Sequence, residues 1–410
     1  MKAEDSQIEL GMMKIEWAKQ RMKLLEMLEK EYEIEKPLNG ITVAMSIHLE
    51  AKTANLALSL KKIGANVVVT GSNPLSTQDD VAMALENMGI KVFARRTHDV
   101  REYRANLMKT IDEKPDLIID DGADLTVLLH TERMDLLDGI IGASEETTTG
   151  LKRMRALERE GKLRYPVMAV NDAKMKYLFD NRYGTGQSTW DSLMRNTNVL
   201  VAGKNVLVCG YGWCGRGIAM RAKGLSAKVM VSEVDPIRAI EALLDGFELV
   251  KSVEGVKKAD FVITATGNRD VISEEHFKVM KDGCILANAG HFNVEIAVEK
   301  LEKIAISKRE VRPNVVEYRF DDGRKVYLIG EGRLVNLAAA DGHPIEIMDI
   351  SFSVQFLSLI HLLKNRDNLK PRVYRVPNEI DLKIARMKLE ILGLEIDKLS
   401  DEQRRYLESY

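Results

Sequence analysis

Cysteine is scarce in this sequence. The three residues, Cys209, Cys214 and Cys284, are an odd number among 410 positions, without ligand-like pairing. That speaks against a disulfide scaffold and suggests a reducing compartment. Charge of one sign is also lacking: 60 Lys+Arg stand against 62 Asp+Glu, a formal net charge of −2. Such a balance gives no global attraction to nucleic acid or to an anionic membrane. No run of about 18 uncharged apolar residues occurs, so no membrane span is expected. Met1 to Gln20 carries Glu4, Asp5, Glu9, Lys14 and Glu16 where a signal peptide would need an apolar stretch. The expectation is a soluble, cytoplasmic protein. With 45% hydrophobic and 30% charged residues, 28 Gly and 9 Pro, the composition suits a globular enzyme better than a disordered or collagen-like chain.

Length and rhythm are what the sequence does have. A single hydrophobic core rarely serves more than about 250–300 residues, so at least two domains are expected. Ile8 to Tyr32 reads as a charged amphipathic helix with one stripe to bury. Strands and helices then alternate from Ile41 to Val170 and again from Asn205 to Asn288, which predicts parallel, doubly wound sheets. Helical patterns at Asp124 to Leu137, Ile347 to Leu363, Ile380 to Leu392 and Asp401 to Tyr406 fill in the rest, with a short strand near Gly139 to Ala143.

The strongest local signal is Gly210-Tyr211-Gly212-Trp213-Cys214-Gly215. It follows a predicted strand and opens a predicted helix, the context in which G-x-G-x-x-G binds a dinucleotide. Gly210 allows the turn, Gly212 lets backbone N–H groups approach a pyrophosphate, and Gly215 lets helix pack on strand. Glu233 ends the next strand about twenty residues on, where a carboxylate holds ribose hydroxyls and repels a 2′-phosphate. NAD is therefore expected, with Arg238 as the one feature that would suit NADP.

Other polar blocks are too numerous for a simple hydride-transfer site. Ser72 to Asp79, Asp120-Asp121-Gly122, Ser144 to Gly150, Phe179 to Gly184, Asn288 to Phe292, Glu331 to Leu337 and Gly342-His343-Pro344 occur in collinear order. In these blocks the chain resembles the S-adenosylhomocysteine hydrolase family over nearly its whole length. The resemblance implies an α/β fold of two doubly wound parallel-sheet domains, a Rossmann NAD domain inserted in a substrate domain, plus a short C-terminal helical segment. The implied division is 1–185 and 343–392 for substrate, 186–342 for NAD and 393–410 for contact with a neighbouring subunit in a homotetramer.

The resemblance also implies residue roles. The family oxidises a 3′-hydroxyl with bound NAD, eliminates homocysteine, adds water at C5′ and reduces the ketone back, which requires acid/base groups tuned to neutral pH. Lys176 and Asp180 would lie at the 3′-hydroxyl, Lys176 with a lowered pKa. Glu146 would hold the ribose hydroxyls. Asp121 and His48 would transfer protons at C4′ and C5′, with His291 near the leaving sulfur. Asn181 would orient ribose or nicotinamide; Thr147, Thr148, Thr149, Trp213, Cys214, Asn288 and Asn336 would support NAD; His343 would gate the substrate. His98, His130, His276 and His361 read as ordinary surface or core residues. Glu145 reads as a helix cap, Asp120 as a turn residue supporting Asp121. No Cys/His spacing suggests a metal.

Three departures bear on specificity. After His48, many members carry Thr and, two further on, Glu against the purine; this chain has Glu50 and Lys52, followed by Thr53. A carboxylate and an ammonium can satisfy the edge of adenine or, by exchanging places, that of hypoxanthine, so an S-inosyl substrate stands as the alternative to the adenosyl one. Thr185 replaces a cysteine found in many members. The segment with Arg404-Arg405-Tyr406-Leu407 takes the place of an extension that crosses into a neighbour's cofactor site. An ordinary soluble dehydrogenase and a catalytically dead NAD-binding regulator are the rival readings.

Overall fold

Residues 3–409 are described by the computed structural model of this chain. Before residue 170 lie six strands, in most of which Val, Ile or Thr supply side chains that pack well on a pleated surface: Thr42–Ser46 (β1), Asn66–Thr70 (β2), Lys91–Phe93 (β3), Leu117–Asp120 (β4), Gly142–Glu145 (β5) and Val167–Ala169 (β6). Eight follow: Asn205–Cys209 (β7), Lys228–Ser232 (β8), Glu248–Leu249 (β9), Phe261–Thr264 (β10), Cys284–Asn288 (β11), Ser307–Arg312 (β12), Val315–Arg319 (β13) and Lys325–Ile329 (β14). A last strand is Val373–Arg375 (β15).

They make two sheets. The first runs β15-β6-β5-β4-β1-β2-β3, all parallel. The second runs β12-β13-β14-β11-β10-β7-β8-β9, parallel except for the β12-β13-β14 meander. Chain order thus leaves the first sheet after β6, builds the whole second sheet, and returns to the first through β15. The register matters for the site. Ser46 pairs with Asp120 and Asp120 with Glu145, so β1, β4 and β5 end at one level. His48, Asp121 and Glu146 leave those ends side by side, at the carboxyl edge where open α/β sheets bind ligands.

The helix Ile345–Lys364 is long and apolar enough to cross a membrane by length and composition, yet 78% of its most apolar window is buried inside the protein. Ile350, Phe352, Val354, Phe356, Leu359 and Leu362 join the core under the first sheet, beside Leu24, Leu28, Met45 and Leu60.

Several expected elements differ. The single helix over Ile8 to Tyr32 is two, Ala3–Lys19 and Lys23–Tyr32. The Asp349 carboxylate accepts from the N–H groups of Leu24 and Leu25 at 3.0 Å, satisfying the start of the second helix from a distant segment. The helix over Asp124 to Leu137 stops at Thr131 and continues as a 3₁₀ turn over Met134–Gly139. The strand near Gly139 begins at Gly142. The meander was not legible: β12 is exposed throughout and carries no apolar alternation. The last helix spans Asp401–Glu408 and buries none of its residues.

Candidate active site

A cavity of about 810 Å³ lies where the carboxyl ends of the two sheets face each other. Of the residues expected at the site, it is lined by His48, Glu50, Lys52, Thr53, Asp121, Glu146, Thr147, Thr148, Thr149, Lys176, Asp180, Asn181, Gly212, Trp213, Cys214, His291, Asn336 and His343. Gly210, Gly215, Glu233 and Asn288 do not line it.

Lys176 is the hub. Its Nζ donates to Asn181 Oδ1 at 2.8 Å and to Asn171 Oδ1 at 3.4 Å, and lies 3.2 Å from Asp180 Oδ1 and 3.5 Å from Glu146 Oε1. Burial alone would lower its pKa, but the nearby Asp180, Glu146 and Asp121 carboxylates outweigh it and hold Lys176 above the ordinary lysine value. The expected lowered pKa is therefore not what the geometry produces: a buried lysine among carboxylates keeps its proton. The carboxylates divide in the opposite way. Burial raises Glu146 to about 7, against the pull of Lys176. Burial would also raise Asp180, but Lys176 and His343 hold it below the usual carboxylate range. Asp180 Oδ1 also faces His343 Nδ1 at 3.2 Å, and His343 Nε2 lies 3.2 Å from Thr185 Oγ1, the residue that replaces a family cysteine.

Across the cavity, Asp121 sits between two imidazoles, 3.3 Å from His48 Nε2 and 3.8 Å from His291 Nδ1. His48 Nδ1 pairs with Ser76 Oγ at 2.7 Å. Burial lowers His48 to about 4, with Asp121 opposing and the two other histidines assisting, so its ring is neutral at pH 7. Donor atoms of His48, Asp121 and His291 fall within 4.8 Å of one another, a grouping that no spacing in the sequence announces. His291 fits because position 122 is glycine: φ there is +110°, and a Cβ would stand 2.5 Å from His291 Nε2.

Behind these groups lies a supporting layer. Asp120 accepts from Thr126 N at 2.8 Å and caps the next helix. Glu145 Oε1 accepts from Gly122 N, Thr147 N and Thr147 Oγ1 at 2.7–2.9 Å, tying the Asp121 turn to the threonine run; burial, then Asp120 and Asp121, push it well above the carboxylate range. Thr147 caps the helix that follows, and Thr148 Oγ1 accepts from Asn171. Asn288 does not reach the cavity. Its amide donates to the carbonyls of Gly290, Phe292 and Gly332 and its oxygen accepts from Gly290 N, so it fixes the loop bearing His291.

Reading by motif missed Ser351, Gln355 and Asp381. The Asp381 carboxylate accepts from Lys174 N and Met175 N at 2.9 Å and so anchors the turn that carries Lys176. Ser351 and Gln355 reach Asp180 and Glu146. Their one visible signal is polarity, four residues apart, inside an apolar helix.

The glycine turn fits a dinucleotide. A Cβ on Gly215 would run into the Gly210 carbonyl oxygen, so the helix Trp213–Gly224 starts as close to β7 as a chain allows. Glu233 accepts from Tyr211 N and Val234 N at 2.6 Å and from Asp235 N at 3.0 Å, which aims its carboxylate beside the turn. Trp213, Cys214 and Arg238 line the cavity with Lys152, Thr266 and Gly267.

At the purine corner, Glu50 caps the helix Ala51–Lys62, accepting from Lys52 N and Thr53 N. Lys52 Nζ lies 2.8 Å from Glu50 Oε2 and donates to the Asp341 carbonyl at 2.7 Å. Thr53 Oγ1 donates to the His48 carbonyl at 2.6 Å.

Two family models match this chain: "S-adenosyl-L-homocysteine hydrolase" over residues 2–138 and "S-adenosyl-L-homocysteine hydrolase, NAD binding domain" over 181–342. The adenosylhomocysteinase of Thermotoga maritima is 64% identical over 400 residues, covering 98% of this chain and 99% of that one. The adenosylhomocysteinase of Pyrococcus abyssi is 56% identical, covering 98% and 95%. The S-inosyl-L-homocysteine hydrolase of Methanothermobacter thermautotrophicus is also 56% identical, covering 98% and 96%.

Proposed function

The chain belongs to the S-adenosyl-L-homocysteine hydrolase family, and from that premise we propose that it reversibly hydrolyses S-adenosyl-L-homocysteine to adenosine and homocysteine with NAD as its resident cofactor. The observation that carries the reading is the opposition, across one cavity, of the Lys176–Glu146–Asp180 cluster to the Asp121–His48–His291 cluster, beside a dinucleotide turn. The chemistry supplied with bound NAD is reversible hydride acceptance at C3′, which acidifies the C4′ proton for as long as C3′ is a ketone.

Residues of the chain do the rest. Glu146, whose Oε1 makes no hydrogen bond within the protein and has the Lys176 ammonium 3.5 Å away, accepts from the ribose hydroxyls. Lys176, held as an ammonium, points a charge at the 3′-oxygen, and the hydroxyl proton passes to the Asp180 carboxylate that Lys176 faces at 3.2 Å. Asp121 and neutral His48 exchange protons at C4′ and C5′, with His291 beside the departing sulfur. Burial of all six groups excludes the bulk water that would intercept the intermediates.

The Glu50–Lys52 pair supports S-inosyl-L-homocysteine as a second substrate. A carboxylate accepts from the adenine amino group while the ammonium donates to N1; with hypoxanthine the ammonium donates to O6 and the carboxylate accepts from N1–H. Steady-state rates of the holoenzyme on both substrates decide between them. Equimolar purine nucleoside and homocysteine, without accumulating free reduced nicotinamide, are the expected products; stoichiometric reduced cofactor in solution would overturn the hydrolase in favour of a dehydrogenase.

A cytoplasmic homotetramer completes the proposal. Its support is that the three cysteines form no disulfide, together with the balanced charge and strongly exposed apolar residues such as Val234, Leu244, Ile396 and Leu407. Light scattering of the holoenzyme tests the assembly.

A further inference from the structure

The helix Ile345–Lys364 carries five polar residues with essentially no exposure: Asp349, Ser351, Ser353, Gln355 and Ser358. Asp349 caps the helix Lys23–Tyr32, and Ser353 Oγ donates to the Asp349 carbonyl. Ser351 and Gln355 do something else. Four residues apart, they share one helix face, and that face meets the cavity wall. Ser351 Oγ donates to Asp180 Oδ2 at 2.8 Å, and Gln355 Nε2 donates to Glu146 Oε2 at 2.5 Å. In both carboxylates the other oxygen faces Lys176 Nζ, at 3.2 Å for Asp180 Oδ1 and 3.5 Å for Glu146 Oε1.

We propose that Gln355 and Ser351 are positioning residues that divide the work of the two carboxylates: Gln355 fixes Glu146 so that Oε1 is kept for the ribose hydroxyls, and Ser351 fixes Asp180 against Lys176 for proton transfer at the 3′-hydroxyl. The terminal torsion of a carboxylate is broad and nearly two-fold, so one donor held by a rigid helix decides which oxygen faces the substrate. A neutral donor also favours the ionised form of the group it touches. The charged and titratable groups facing Glu146 are Lys176, Asp180 and Asp121, with His343 behind Asp180 and His48 and His291 flanking Asp121. None of them touches Glu146 Oε2, so Gln355 alone stabilises that oxygen by a hydrogen bond among the described residues.

The inference rests on the hydrolase reading, and separate kinetic parameters test its two halves. In the NAD-loaded enzyme, Gln355→Met should raise KM about tenfold with kcat held within about threefold, because binding to Glu146 is uniform between ground and transition states. The acid limb of kcat/KM should move up by about one pH unit. Ser351→Ala should do the reverse, lowering kcat about tenfold with KM within about threefold, and Ser351→Thr, which keeps the hydroxyl, should restore kcat. Gln355→Leu also removes the donor and adds no ionisable group beside Glu146. It should reproduce the KM rise even if the Met variant fails to fold. Equal loss of kcat and kcat/KM in both positions, or an unmoved KM and acid limb in both Gln355 variants, would overturn the division of roles. A wild-type holoenzyme that turns over neither the adenosyl nor the inosyl substrate would overturn the hydrolase reading, and this inference with it.

Discussion

Lys176 Nζ lies 3.2 Å from Asp180 Oδ1, and each side chain is 5% exposed. Two buried charges one helical turn apart stabilise each other only while both are present. Lys176→Ala should lower turnover by about 10²–10³-fold, the range for losing one positioned donor at a developing negative charge. It should also cost about 3–5 kcal/mol of stability, because Asp180 would be left buried without its cation. Lys176→Ala/Asp180→Asn should recover much of that stability without recovering activity. Thermal melts beside steady-state rates check both; a single variant as stable as the double would show that the pair is not coupled.

The pH dependence should be set by Glu146 rather than by a histidine. Burial holds Glu146 at about 7 and His48 at about 4. Glu146 accepts from ribose hydroxyls most strongly as the anion, with both oxygens free of protons, so its protonation as pH falls through 7 should weaken binding and reduce kcat/KM. His48 is already neutral at every pH well above 4 and should add no limb between pH 5 and 8. A kcat/KM profile with its acid limb near 7, abolished together with most activity in Glu146→Gln, is the expected result.

Position 122 constrains His291 from the other domain's side of the cavity. Gly122→Ala would force a side chain into a left-handed backbone at φ +110° and into His291 Nε2. The strain should cost about 1–2 kcal/mol, while displacement of the imidazole should lower kcat by about 10²-fold, as misplaced catalytic groups do. NAD content should stay that of the wild type, since neither Gly122 nor His291 belongs to the dinucleotide turn. Loss of bound NAD would show a wider collapse than this contact predicts.

The features legible in the sequence are those that depend on neighbours in the chain. Gly210 to Gly215 signal their turn because the strand, turn and helix are contiguous, and His48, Asp121 and Glu146 signal a common edge because each follows a strand. Their adjacency rests on the register Ser46–Asp120–Glu145, which alternation of strands and helices implies without numbering. What long-range contacts decide was hidden. The proton affinity of Lys176 depends on carboxylates from two other strand ends. Ser351, Gln355 and Asp381 lie about two hundred residues from the groups they hold. Asn288, placed in a family block beside the cofactor, ties the His291 loop to Thr264 and Gly332 instead.

Cofactor choice should turn on Glu233 and Arg238. The Glu233 carboxylate, bound by three backbone N–H groups, cannot swing away from the glycine turn. A 2′-phosphate placed there would meet a fixed negative charge. Arg238 lines the cavity, its Nη1 3.3 Å from where a Cβ on Gly212 would stand, and its ion pair with Asp235 is long, at 3.7 Å, and exposed. The guanidinium is therefore free to meet a phosphate once the repulsion is removed. Glu233→Ser should shift the ratio of retained NADP to NAD upward by at least about tenfold, the effect of some 1.4 kcal/mol. Glu233→Ser/Arg238→Ala should reverse the gain. Release and quantitation of nucleotide after reconstitution with an equimolar mixture measures the ratio. An unchanged ratio in the single variant would mean that Glu233 serves only to tie the backbone of the turn.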